Sequence, residues 1–150
     1  MSPDAITGRL AAVFERAPGL ATALRHAEDD TPRAIIAKAR GALERMTEDD
    51  RIAVLDAHPR IGADAASLSL HSRREQGASV EGPTLSQLAE LNDAYEKKFG
   101  FRFVVFVAGR SKEQVVPVLR ARLANTREAE LTTGLEEFLA ISLDRLERRR

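Results

Sequence analysis

Apolar side chains recur at helical spacing through nearly every segment of this chain of 150 residues, and no other feature restricts its fold as strongly. The clearest stripe lies between residues 32 and 46, with apolar side chains at Ile35, Ile36, Ala39 and Leu43. Thr31 and Pro32 supply a capping hydroxyl and a first-turn proline for that helix. We therefore expect an all-α fold, a single-domain helical bundle of about seven to eight helices over residues 1–150.

A short strand-like run, residues 103–108, interrupts this pattern, because it joins aromatic and β-branched residues without a break. A single strand cannot form a sheet by itself. We therefore interpret this run as a buried extended or short helical piece inside an all-α protein.

Helical spacing also stops between Asp56 and Pro83, a stretch that is rich in proline and glycine and holds two of the three histidines. Loops of this length inside a compact domain are usually functional or disordered. The polar residues of the stretch favour the first interpretation. We expect it to be an irregular active-site stretch.

The first candidate site residue is His58. Thr47 caps the fourth predicted helix, and Leu55 lies on its buried face. Because Pro59 disfavours helical geometry at the residue before it, we expect this helix to stop at His58. The negative end of the helix dipole favours a protonated imidazole there, which suits an acid or a base. The alternative is a histidine that only caps the last carbonyl groups of the helix.

Two further polar positions allow both a structural and a functional interpretation. Ser72 and Glu75 have the spacing of a capping box, yet Gly77 follows them where an apolar run is usual. Arg145 shares one face of the last predicted helix with Phe138. Its stem can lie along the core with the charged head in water, or its planar fork can bind a substrate carboxylate.

Charge and composition argue against several classes of function. Lys plus Arg and Asp plus Glu both number 23, so no excess of basic charge favours nucleic acid or an anionic membrane as a partner. The chain has no cysteine, which excludes disulfides and thiolate chemistry. No apolar run reaches the roughly 20 residues of a membrane helix, and we expect a cytoplasmic protein. The spacing of His58 and His71 matches no metal motif, so we expect no metal site.

Five short motifs occur in a distinctive order and spacing. They are Ala57-His58-Pro59-Arg60-Ile61-Gly62, Ser72-Arg73-Arg74-Glu75-Gln76, Leu91-Asn92-x-x-Tyr95-x-x-x-Phe99-Gly100-Phe101-x-Phe103, Arg122-Leu123-x-Asn125 and Glu128-x-Glu130-Leu131. Together they resemble the OHCU decarboxylase family of urate breakdown, whose substrate is 2-oxo-4-hydroxy-4-carboxy-5-ureidoimidazoline. The resemblance extends from about Leu10 to Arg145.

This resemblance implies an all-helical homodimer that decarboxylates OHCU to (S)-allantoin without a metal or a cofactor. The family's catalytic residues fall on His58, Glu75 and Arg145, with Glu75 as the acidic partner of the histidine. Its substrate-contacting positions fall on Pro59, Ser72, Arg73, Arg74, Gln76, Phe103, Val104, Val105, Phe106 and Val107. A non-catalytic helical module that binds a partner helix in an apolar groove is the first alternative, and a metal-dependent hydrolase of a ureido compound is the second.

Overall fold

The computed structural model describes residues 8–14, 20–27, 29–61 and 82–148. These ranges contain the helices α1 (Gly8–Phe14), α2 (Ala21–Leu24), α3 (Pro32–Arg45), α4 (Glu48–Asp56), α5 (Gly82–Phe99), α6 (Lys112–Leu123) and α7 (Arg127–Arg148). No strand occurs within the same ranges, and the all-α prediction is confirmed. None of the described helices is both long and apolar enough to cross a membrane.

The number of substantial helices is smaller than the seven to eight helices that we expected. Only α3 to α7 have nine residues or more, whereas α1 has seven residues and α2 has four. A helix as short as α1 or α2 is not stable without tertiary contacts. Five substantial helices therefore make up the fold of the described residues.

Three helix starts carry side-chain caps, and the caps of α3 and α4 confirm the signals in the sequence. The Thr31 hydroxyl accepts a hydrogen bond from the N–H of Ala34 at 3.2 Å, ahead of α3. Thr47 does the same for α4. Ser111 and Gln114 form a reciprocal capping box before α6. Each of these bonds satisfies an N–H group that would lack a partner in the first turn of the helix.

The ends of the irregular stretch differ from the prediction. Helix α4 ends at Asp56 and not at His58, with Ala57 as its C-cap. The chain tightens there, because the N–H of His58 donates to the Leu55 carbonyl three residues back, at 3.1 Å. Helix α5 already begins at Gly82, since a proline such as Pro83 is tolerated in a first turn, where its missing N–H costs nothing.

The Cα positions group the chain into two compact units, the first comprising Met1–His58 and Leu135–Arg150, the second Pro59–Gly134. The described core of the first unit is aliphatic apart from two phenylalanines, Phe14 and Phe138, whose rings meet edge-on at 6.2 Å. Helices α1 to α4 and the later turns of α7 supply its buried side chains. The prediction of one domain over residues 1–150 stays a prediction.

The second unit has an aromatic core. The rings of Phe99, Phe101 and Phe103 all lie within 6.1 Å of the Tyr95 ring, measured between centroids. Helix α5 ends at Phe99, and Gly100 after it has a φ of 81°, the left-handed geometry that glycine adopts readily beyond a helix end. This turn directs the chain into the irregular segment 101–110, which leads to α6.

Candidate functional site

His58 lies directly after the C-cap of α4, in the first unit. Its imidazole is half-buried and meets the ring of Phe138 edge-on, with centroids 5.2 Å apart and an interplanar angle of 81°. Phe138 is only 2% exposed and belongs to the apolar core. The backbone bond to Leu55 and the ring contact therefore hold the imidazole at the border of that core, with part of its surface open to solvent.

Arg145 lies on the same helix as Phe138 and is exposed. It forms no hydrogen bond or ion pair with any residue that the structure describes. Seven residues are about two helical turns, so the Cα atoms of Phe138 and Arg145 are ~10 Å apart along one face of α7. The role of Arg145 stays a prediction, and both of its interpretations remain open.

The acidic partner predicted for His58 lies outside the described residues. The same applies to the neighbouring candidates, so nothing structural is added for Ser72, Arg73, Arg74, Glu75 and Gln76. Pro59 is described and is exposed. The pairing of His58 with Glu75 therefore stays a prediction.

The start of the irregular stretch is fixed to α5 by contacts that we did not predict. The guanidinium of Arg60 bonds Glu96 through Nε and Asp93 through Nη2, both at 2.7 Å. These two bonds, Glu96 first, raise the pKa of Arg60. The buried Asn92 donates to the Ile61 carbonyl at 3.1 Å. Asn92, Asp93 and Glu96, on one face of α5, thus hold the start of the irregular stretch. The three-residue spacing of Asp93 and Glu96 was the sequence signal that could have indicated this contact.

The second candidate element is the segment from Phe103 to Val107, in the second unit. It is neither helix nor strand, and Phe103, Val104 and Val105 are 2%, 3% and 7% exposed, as predicted for a buried piece. Phe106 and Val107 are half-buried. An apolar segment of this kind excludes water and leaves its backbone groups as its main polar features.

Two arginines bind the carbonyl groups of this segment. Arg122 donates from Nη1 to the Val104 oxygen at 2.7 Å. Arg110 donates from Nη2 to Phe106 at 2.6 Å and from Nε to Val107 at 3.0 Å. Three of its five carbonyl oxygens are therefore occupied by charged donors from the protein. The backbone groups of this segment that can bind a ligand are therefore mainly the remaining ones.

A strained turn ends the segment. Ala108 has a φ of 53° and is the only non-glycine residue with positive φ in the described ranges. Gly109 follows with a φ of 81°. The N–H of Arg110 closes the turn on the Val107 carbonyl at 3.0 Å. Strain of this kind persists only where the surroundings enforce it, and here Arg110 bonds the turn with both its backbone and its side chain.

A buried ion pair supports the segment from behind. Glu130 is completely buried, and its carboxylate accepts from Arg122 Nε at 2.7 Å, from the Tyr95 hydroxyl at 2.6 Å and from Asn125 at 2.8 Å. The guanidinium of Arg122 also lies over the Phe103 ring, 4.5 Å from its centroid. Arg122 and Glu130 belong to motifs that resemble the family, yet sequence reasoning gave them no role. No spacing rule shows that two charges are buried together.

Tyr95 reports on the environment of this pair. Burial, followed by its hydrogen bond to Glu130, raises the pKa of the Tyr95 hydroxyl far above its usual value. The phenol is therefore a permanent donor at neutral pH and takes no part in proton exchange.

Within the ranges described, no group of three or more histidine, cysteine, aspartate or glutamate side chains is placed to hold a metal ion. His71 and the acids near it lie outside those ranges. The expectation of a site without metal stays a prediction.

Two relatives are similar in sequence to this chain over nearly its whole length. The uric acid degradation bifunctional protein of Bacillus sp. (strain TB-90) is 26% identical over 98% of this chain, which spans only 30% of that protein's length. The 2-oxo-4-hydroxy-4-carboxy-5-ureidoimidazoline decarboxylase of Haloferax volcanii is 24% identical over 99% of this chain and 91% of its own length.

A solved structure shares the fold. It is a crystal structure of OHCU decarboxylase in the presence of (S)-allantoin, with a TM-score of 0.75 over 95% of this chain and 97% of that chain. At 24% identity this likeness concerns the fold alone. The model of the OHCU decarboxylase family matches residues 1–147, through both compact units. The chain therefore belongs to the OHCU decarboxylase family.

Proposed function

We propose that this protein decarboxylates OHCU to (S)-allantoin. The observation that carries the proposal is the match of the decarboxylase family to residues 1–147, which includes the His58-Pro59 motif and the segment 103–107. The shared fold with an OHCU decarboxylase crystallised in the presence of (S)-allantoin adds support. One homologue with a decarboxylase name covers 99% of the chain.

The substrate carries its own electron sink. As the bond between the ring carbon and the carboxylate breaks, CO₂ leaves and the electron pair is delocalised into the adjacent C=N group. One proton is then added to the resulting carbanion, and the face that receives it sets the handedness of allantoin. Chemistry of this kind needs no thiamine or pyridoxal cofactor, and we propose that none is used.

His58 is the proposed acid or base. Its support is geometric, since the backbone and Phe138 hold the ring while part of the imidazole stays open to solvent. A fixed imidazole can deliver a proton to one face of a bound carbanion. Glu75 is the proposed partner that orients the ring and stabilises the imidazolium. Acid–base participation of this type contributes ~10²–10⁴-fold to rate.

The other candidates bind the substrate in this proposal. Ser72 and Gln76 bond the ureido group and ring amides, with Arg73, Arg74 and Pro59 beside them. Arg145 binds the substrate carboxylate or stabilises the developing charge, because an exposed guanidinium without a protein partner among the described residues is available to an anion. The segment from Phe103 to Val107 excludes water and offers backbone groups.

The remaining parts of the proposal follow the family. We propose a single domain, a homodimer and a cytoplasmic location, with no nucleic acid and no membrane among its partners. The balance of 23 basic and 23 acidic residues supports the last point.

The test is an assay on fresh substrate. OHCU is generated with urate oxidase and a hydroxyisourate hydrolase, this protein is added, and optical activity is followed as allantoin forms. We expect faster product formation and a single enantiomer. A strong chelator should leave the rate unchanged if no metal takes part.

The proposal is wrong if allantoin forms at the same slow rate, and as a racemate, with and without the protein. Tight binding of a helical peptide without any turnover of OHCU would instead favour the binding module.

A further inference from the structure

The carbonyl groups of the segment 103–107 are directed by the protein's own arginines. Arg122 binds the oxygen of Val104, and Arg110 binds the oxygens of Phe106 and Val107. These bonds are short and charge-assisted, so they fix the orientation of each peptide group more firmly than neutral hydrogen bonds do.

A fixed carbonyl also fixes the N–H of the next residue. A trans peptide group is planar, and its C=O and N–H point in opposite directions. No cis peptide bond occurs among the described residues. With the Val104 oxygen on Arg122, the N–H of Val105 points away from Arg122. With the Phe106 oxygen on Arg110, the N–H of Val107 points away from Arg110.

These two N–H groups lack an acceptor among the residues that the structure describes. Within the part of the chain that the structure describes, neither Val105 nor Val107 donates a backbone hydrogen bond. Val105 is 7% exposed. Buried backbone N–H groups are almost always paired in folded proteins. A ligand with carbonyl oxygens, such as a ureide or imidazolone ring, supplies the missing acceptors.

The energetics of the buried pair also indicate a positioning role. A buried ion pair contributes little to stability compared with apolar side chains of the same volume. Nη2 of Arg122 is buried and has no hydrogen-bond partner among the described residues, which lowers the contribution of the pair to stability further. The guanidinium is held by Glu130 and by the Phe103 ring, and it fixes the direction of the Val104 carbonyl.

We infer that Arg122 and Arg110 are positioning residues, which turn the N–H groups of Val105 and Val107 toward a carbonyl-bearing substrate. This inference rests on the proposed function and adds to it two residues that act through the backbone. Arg122 does so from a buried site fixed by Glu130, and Arg110 does so from the turn that ends the segment.

The experiment compares substrate affinity and product handedness between variants. The double variant Arg122→Met with Glu130→Gln removes both charges at similar volume and keeps an amide oxygen for the Tyr95 hydroxyl. Arg110→Met removes the second arginine without touching the buried pair, so it decides the question should the double variant fail to fold.

Arg127→Met is the matched control. Arg127 also donates to a backbone carbonyl, that of Phe99 at 3.0 Å, and lies over an aromatic ring, that of Phe101 at 5.5 Å. It makes the same two kinds of contact as Arg122, but from an exposed position outside the segment 103–107. Its loss should lower thermal stability and leave KM and product handedness as in the wild type.

We expect KM for OHCU to rise about tenfold in the double variant and less in Arg110→Met, with a smaller change in kcat and a loss of enantiomeric excess in the allantoin formed. In ¹⁵N–¹H spectra, added (S)-allantoin should shift the Val105 and Val107 amide signals of the wild type. The Val105 shift should shrink in the double variant, and the Val107 shift in Arg110→Met.

The outcomes separate this inference from the proposed function. A wild type without turnover defeats the proposed function, and the inference with it. A wild type that turns over, together with folded variants that keep its KM and handedness, overturns the inference alone. A loss of stability equal to that of Arg127→Met, without a change in KM, assigns Arg122 a purely structural role.

Discussion

Both compact units place a basic side chain against a phenylalanine ring, but they treat the two side chains differently. In the second unit, Arg122 is 7% exposed, lies over Phe103 and is held by Glu130. In the first unit, His58 meets Phe138 edge-on and stays half-buried. One cation is locked in the interior, and the other group keeps access to solvent.

The difference teaches which of the two groups can carry chemistry. A fully desolvated buried pair cannot gain or lose a proton without leaving one charge buried and uncompensated, which is strongly destabilising. Histidine is the side chain best suited to act as an acid or a base near neutral pH, and the half-buried His58 stays in contact with solvent. We therefore propose that the ion pair of the second unit serves geometry, and that the half-buried histidine of the first unit serves proton transfer.

The largest expected effect comes from His58→Asn. If the imidazole is the acid or base, kcat for OHCU should fall ~10²–10⁴-fold, because the asparagine amide does not titrate. Stability should change little, since the position is only half-buried. The measurement is initial-rate kinetics by optical activity, with urea unfolding alongside.

His26→Asn is the control for this prediction, because His26 is an exposed histidine of the same unit. It should keep the wild-type rate. Equal activity of the two variants would remove His58 from the mechanism and weaken the contrast between the units.

The second prediction concerns Glu130→Ala, which leaves Arg122 buried without its carboxylate. We expect the free energy of unfolding to fall by about 3–5 kcal/mol. Urea unfolding followed by circular dichroism measures it. Glu136→Ala, an exposed glutamate on the same helix, is the control and should have a far smaller effect. If the loss at Glu130 is no larger than at Glu136, the pair is not a fixed element of the core.

The third prediction is smaller. Tyr95→Phe removes one donor from the buried Glu130 carboxylate and should lower the free energy of unfolding by about 1.5–3 kcal/mol. The same urea experiment measures it. Phe99→Leu, a change in the same aromatic cluster that touches no charge, separates the loss of the hydroxyl from a general effect of repacking.

The chain has one tyrosine and no tryptophan, so phenolate absorbance reports on Tyr95 alone. The pKa of its hydroxyl is raised above the ordinary value of 10.0, with burial as the main cause. The stabilisation from this shift is fully present below that ordinary pKa and is lost as pH rises toward the folded-state pKa. We expect phenolate to appear only as the protein unfolds in alkali. Titration at the ordinary value in the folded protein would show that the hydroxyl is not buried on Glu130.

The smallest expected effect concerns the surface of the first unit. Arg40 binds Glu136 through Nε at 3.2 Å and Nη2 at 2.8 Å, and the side chains are 45% and 52% exposed. The hydrogen bond from Arg40 lowers the pKa of Glu136 below its ordinary 4.5. The stabilisation is therefore present above that value and is lost as pH falls through the lower folded-state pKa.

Because solvent screens this pair, Glu136→Gln should lower the free energy of unfolding at neutral pH by only about 0.2–1 kcal/mol. High salt should reduce the difference from the wild type, and so should a pH below the ordinary 4.5 of the glutamate carboxyl. A larger effect that salt does not change would mean that a surface pair can be as firmly fixed as the buried one.

Local features of the fold were predictable from neighbours a few positions apart. The capping hydroxyls of Thr31 and Thr47 start helices α3 and α4 where the sequence placed them. Apolar spacing identified the buried face of α3, including Ile35 and Ala39. These features were accessible because a helix brings residues three or four positions apart onto one face, whatever surrounds it.

Helix boundaries beside prolines were less predictable. Helix α4 ends two residues before the predicted position, and α5 starts before Pro83, where we expected the irregular stretch to end. A proline limits the backbone near it, but it does not decide whether the last turn tightens or where a first turn begins.

By itself, the sequence determined an all-α protein, its family motifs and a histidine beside a proline at a helix end. Only the tertiary structure decided that Arg122 meets Glu130 in the core. It also decided that Glu130 bonds Tyr95, a residue 35 positions away, and that Arg122 bonds the Val104 carbonyl, 18 positions back. Spacing defines which face of a helix a side chain occupies. The partner of a buried charge depends on which faces pack together, and the energy of that choice arises only once water has been removed.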